Sequence, residues 1–146
     1  MPGTTIRPTT LLASAFFTGA GAMHFLRPDF FESIVPDWFS NKRLANYGSG
    51  AAEIAFGVGL LPRRTRRWSA YGLVALTAAV FPANIDMAVN DVELKPIDGR
   101  MARSAGTATG TSRLVNWARL PVQFPIGYAM WRVARRSGEV ESGMVA

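Results

Sequence analysis

Residues 68–89 read WSAYGLVALTAAVFPANIDMAV, 22 residues in which Asp86 is the one charge. A helix rises about 1.5 Å per residue, so a stretch of this length crosses a hydrocarbon core about 30 Å thick. Working outward, three further stretches have the same character. Residues 44–61 (LANYGSGAAEIAFGVGLL) carry one charge, Glu53, and residues 9–26 (TTLLASAFFTGAGAMHFL) carry none. Residues 114–134 (LVNWARLPVQFPIGYAMWRVA) carry Arg119 and, near the end, Arg132. Together the four hold 79 of the 146 residues and four of the 26 charges. Such segregation predicts a single all-α domain over residues 1–146, an integral membrane four-helix bundle with spans at 9–26, 44–61, 68–89 and 114–134.

The second stretch is narrow, with Gly48, Ser49, Gly50, Ala51, Ala52, Gly57 and Gly59. So many glycines weaken a helix in water, whereas in a membrane small residues let helices approach closely. A homodimer is compatible with the same faces. A secretory leader is the alternative for the first stretch, with Arg7 before it and Ala20-Gly21-Ala22 as a small-residue site. The apolar run continues past Ala22, which favours a span.

Loop charges set the expected orientation. The segment between the second and third stretches carries Arg63, Arg64, Arg66 and Arg67 without an acid. Positive charge in short loops is retained in the cytoplasm, so both termini are predicted cytoplasmic in a multi-pass plasma-membrane protein. The net charge of +6, from 16 Lys and Arg against 10 Asp and Glu, fits a membrane protein with Arg-rich cytoplasmic ends. No aromatic-interleaved basic strand is present, and no nucleic-acid partner is expected. The absence of cysteine removes disulfide, thiol-redox and zinc-thiolate chemistry.

Residues 28–39 (PDFFESIVPDWF) predict a short amphipathic helix at the membrane interface, opened by Pro28. Residues 94–113, rich in Gly, Ala, Ser and Thr, predict a flexible loop, and residues 138–146 a frayed tail.

Six polar residues fall inside the apolar stretches: His24, Glu53, Asn84, Asp86, Arg119 and Gln123. With both termini inside, all lie near or above the membrane midplane, which predicts an outward-opening polar pocket. Charges in lipid face inward and pair. Arg119 is the cation at this depth, with Asp86 and Glu53 as its candidate partners, either as a packing clamp or as a functional site. Glu53 suits a proton site, a hydrogen bond to a quinone carbonyl or a helix–helix hydrogen bond. His24 suits an anchor or a bond within the polar group, and no metal site is assigned. Pro82, Pro121 and Pro125 free carbonyls beside these residues.

The chain resembles the small DoxX-like membrane proteins. The resemblance is carried by His24-Phe25 with Pro28 and Phe31, Ile34-Val35-Pro36, Ser49-Gly50 with Glu53 and Gly57, and Leu60-Leu61-Pro62 with Arg66. It continues in Phe81-Pro82-Ala83-Asn84 with Met87-Ala88, then in Arg119-Leu120-Pro121 with Gln123. It implies a four-helix membrane protein acting as an accessory subunit of a membrane redox complex, with a protein partner and no independent catalytic activity. Two further expectations stand beside it. One is a quinone-binding redox subunit using Glu53, Arg119, Asn84 and Gln123. The other is a proton-coupled small-solute transporter using Glu53.

Overall fold

The computed structural model describes residues 6–143. The elements are α1 (Pro8–Leu26), α2 (Pro28–Ile34), α3 (Lys42–Gly59), α4 (Arg63–Val89), β1 (Glu93–Ile97), β2 (Arg100–Ser104) and α5 (Gly110–Gly143). Proline at a first helical position opens α1 and α2, where its missing N–H costs nothing. Asn41 caps α3, its side chain accepting from the Leu44 N–H at 2.9 Å. Between α3 and α4, Arg66 donates to the Leu60 carbonyl at 2.7 Å and to the Leu61 carbonyl at 2.6 Å. Thr65 donates to the Gly59 carbonyl at 2.7 Å. The carbonyls left over at the end of α3 are thus closed by the first turn of α4.

The long helices pack as two intimate pairs, α1 with α3 and α4 with α5, joined through α3 and α4. The first pair approaches backbone to backbone. A Cβ on Gly21 would sit 2.6 Å from the Gly50 carbonyl oxygen, and one on Gly50 would sit 2.5 Å from His24 Cβ. No larger residue fits that crossing.

Buried residues gather at the two ends. Phe17, Leu60, Ala70, Leu73, Met130 and Ala134 form a core beside the α3–α4 turn. Met87, Ala88, Val92 and Ala108 are buried at the other end. Between them, residues 74–86 of α4 and 117–129 of α5 include no buried position.

The second end is covered by a cap absent from the sequence expectation. β1 and β2 pair antiparallel, Glu93 opposite Ser104 through Ile97 opposite Arg100. The turn is Asp98-Gly99, both at positive φ, as a two-residue hairpin turn requires. Helix α2 docks on this hairpin. Asp29 accepts from the Met101 N–H at 3.0 Å, and Ser33 donates to the Met101 carbonyl at 2.8 Å.

The all-α four-span membrane bundle is therefore corrected. The chain has five helices and a two-stranded sheet, and only α1 and α4, among the described residues, are long and apolar enough to cross a membrane. Helix α3 is diluted by Lys42, Arg43, Asn46 and its glycines, and α5 by Arg113, Asn116, Arg119 and Gln123. Helix α2 binds the hairpin and α3 in place of the expected interfacial position. The hairpin occupies the stretch expected as a flexible loop at 94–113, and α5 continues to Gly143, with 144–146 outside the described residues.

Candidate functional site

In the last turn of α1, His24 faces the start of α3. Its Nδ1 lies 2.8 Å from Asn46 Oδ1. Asn46 in turn donates through Nδ2 to the His24 carbonyl at 3.2 Å, which fixes the amide with its oxygen toward the ring. Nδ1 must then carry the hydrogen, and Nε2 of the neutral ring is left as an acceptor. Nε2 lies 3.5 Å from Glu53 Oε2, with the two side chains 12% and 19% exposed. That carboxylate oxygen has no hydrogen-bond partner, so the contact is one of proximity between two acceptors. One proton between them satisfies both. Phe31 of α2 stacks on the imidazole, centroids 3.8 Å apart, and closes the site from the capped end. The missing side chain of Gly50 makes the room.

Asp86, near the end of α4, has a different partner. It is bonded by Arg103 of β2, the pair being 11% and 8% exposed, and by Asn90 Nδ2 at 2.9 Å. Asp37 Oδ2 lies 3.4 Å from Arg103 Nε, and its Oδ1 meets Lys42 Nζ at 2.5 Å. The Lys42 ammonium and, to a smaller degree, Arg103 hold the Asp37 carboxyl below the ordinary aspartate range. Asp37, Trp38, Asp86, Asn90, Arg103 and Gly106 are among the residues lining an open cleft of about 570 Å³.

Arg119 donates to Met87 Sδ at 3.3 Å and makes no ion pair among the described residues. Gln123 donates to the Thr77 carbonyl at 3.5 Å, and Asn84 is half-buried on α4. The six sequence-selected residues thus fall in three places: His24 with Glu53 between α1 and α3, Asp86 under the hairpin, and Asn84, Arg119 and Gln123 along α4 and α5. Glu53 faces α1, while Arg119 and Gln123 bond to α4. The polar contacts expected around a quinone head group are not drawn into one group.

Residues 12–134 match the model of a family described as a domain of unknown function (DUF8561). The chain belongs to the DUF8561 family. This overturns the resemblance to DoxX-like proteins, since short motifs such as Phe81-Pro82 and Arg119-Leu120-Pro121 arise wherever prolines interrupt apolar helices. No curated protein and no solved structure matches the chain.

Two residues of the DUF8561 chain's polar groups escaped the sequence reading. Asn46, 2% exposed, orients His24. Asn116, 4% exposed, donates to the Met87 carbonyl at 3.1 Å and the Val92 carbonyl at 2.7 Å, tying α5 to the end of α4. Both are amides inside apolar stretches, the same signal that selected Asn84 and Gln123.

Proposed function

We propose that this DUF8561 protein is embedded in a membrane through α1 and α4 and exchanges a proton at the His24–Glu53 pair, coupled to movement of a small polar solute. Membrane embedding is supported by what the two apolar helices do with their surfaces. A core helix of a soluble protein is mostly buried, but only 22% of the apolar window of α1 and 17% of that of α4 is buried. Leu12 and Phe16 on α1, Val89 on α4 and Phe124 on α5 are all more than half exposed. An apolar surface of this extent is matched by lipid. A detachable leader is a poor reading of α1, because its Gly21 locks against Gly50 and its His24 completes the polar group.

The observation that carries the functional reading is the pair of facing acceptors, His24 Nε2 and Glu53 Oε2, 3.5 Å apart. Asn46 prevents the ring from turning its N–H toward Glu53. A proton held there passes between oxygen and nitrogen by a short shift, the kind of Glu–His relay that proton-moving membrane proteins use. The redox-subunit expectation rested on the overturned resemblance, and Glu53, facing α1, is apart from Arg119 and Gln123, which bond to α4.

The test is proton entry into vesicles loaded with a pH-sensitive dye and given an external acid pulse, with amino acids, monocarboxylates and sugars supplied outside in turn. The expected result is entry above that of empty vesicles with at least one solute class, abolished in Glu53→Gln. Entry equal to that of empty vesicles throughout, or unaffected by Glu53→Gln, overturns the reading.

A further inference from the structure

We infer that the end of the molecule opposite the cap binds the phosphate groups of anionic phospholipids, through a ladder of arginines laid on aromatic rings. The inference rests on the membrane-embedded part of the reading above and not on proton exchange. Tyr128, Trp131, Arg132 and Arg135 follow the i, i+3, i+4, i+7 spacing of one helical stripe on α5, and all four are exposed. Tyr128 and Trp131 stack, centroids 5.7 Å apart. The Arg132 guanidinium lies 5.9 Å from the centre of the Tyr128 ring, and that of Arg135 lies 5.4 Å from the centre of the Trp131 ring.

The stripe is joined by more charge from α4. Ala70 and Leu73 pack with Met130 and Ala134 in the core, which brings the first turns of α4 level with the stripe. Arg63 and Arg64 are exposed in that turn, and Trp68 is 68% exposed one turn further in. Glu139 is the one acidic residue with a described side chain at this end. The capped end has an Arg–aromatic pair too, Arg43 over Tyr47, but its cations sit among Asp29, Glu32, Asp37, Asp91, Glu93 and Asp98.

The chemistry follows from the order of groups along the helices. Aromatic rings come first on the bilayer side and guanidinium groups one turn beyond, the arrangement of an interfacial belt. A guanidinium held against a ring keeps its edge N–H donors for a phosphate, which it grips with two parallel bonds. Arg66 is excluded from this role, since its donors serve Leu60 and Leu61.

The experiment uses the full chain in nanodiscs of equimolar phosphatidylglycerol and phosphatidylcholine, with the retained lipids weighed by native mass spectrometry. The expected result is phosphatidylglycerol enriched about fivefold or more over phosphatidylcholine, each arginine near a membrane surface being worth about that factor. The enrichment falls toward equality in the double variant Arg132→Gln, Arg135→Gln and at high salt, and persists in the capped-end variant Arg43→Gln. Equal retention of the two lipids by the wild-type chain overturns the inference, as does enrichment that survives the double variant with its melting temperature unchanged. A chain that never enters the discs defeats the membrane reading instead, a separate and visible outcome.

Discussion

The two ends of this molecule handle charge in opposite ways. At the capped end, cations meet acids of the same chain: Arg103 with Asp86 and Asp37, Lys42 with Asp37, Lys95 with Glu93, Arg113 with Asp91. At the other end, Arg63, Arg64, Arg132, Arg135 and Arg136 are exposed, and two of them lie on aromatic rings. One end spends its charges on fastening a hairpin and a short helix over the helix termini. The other leaves them facing outward. A net charge alone hides this division, because both ends contribute similar numbers of basic residues.

Substitutions at the two ends should therefore differ in kind. Arg103→Ala should be the most damaging, leaving Asp86 buried under the hairpin without its guanidinium; breaking a buried pair in this way costs about 3–5 kcal/mol. Chemical denaturation in detergent or nanodiscs would measure it, and a loss below about 1 kcal/mol would mean the pair is effectively solvated. Gly50→Leu should come next, since its side chain meets His24 at the helix crossing, with an overpacking cost of about 1–3 kcal/mol. The ring signals of His24 should shift in the same variant.

A smaller, pH-dependent effect is expected at the hairpin. Asp29 is held below the ordinary aspartate range, chiefly by the Met101 N–H, and Glu93 below the glutamate range, chiefly by Lys95. A lowered folded-state pKa stabilises above the unfolded value and the benefit is lost as pH falls through the folded one. Amide exchange of β2, Met101 above all, should thus accelerate in acid, and Asp29→Asn should show the faster exchange already at neutral pH. Exchange unchanged by either would place the docking of α2 on packing alone. The smallest effect is reserved for the other end: Arg64→Gln and Arg135→Gln should change unfolding free energy by no more than about 0.5 kcal/mol, because both side chains are exposed.

The helices were the legible part. α1, α3, α4 and α5 overlie the four apolar stretches, while the starts at Pro8, Asn41 and Pro62 came only from the structure. What apolarity does not fix is the surroundings of each helix, so a count of four spans did not follow from four apolar stretches. The hairpin had a signal in Asp98-Gly99 between Ile97 and Arg100, and the flexible composition of 94–113 concealed it. Among the site residues, His24 and Glu53 met because their helices cross at paired glycines. The partner of Asp86 lay 17 residues along the chain on a strand, beyond the reach of reasoning about membrane depth.

The proton between His24 and Glu53 is open to direct observation by nitrogen NMR of selectively labelled histidine, the chain having a single one. Hydrogen is expected on Nδ1, bonded to Asn46, with an Nε2 signal displaced by a shared proton that returns to a bare acceptor in Glu53→Leu. A ring with Nδ1 bare, or an Nε2 signal indifferent to Glu53→Leu, would contradict that expectation.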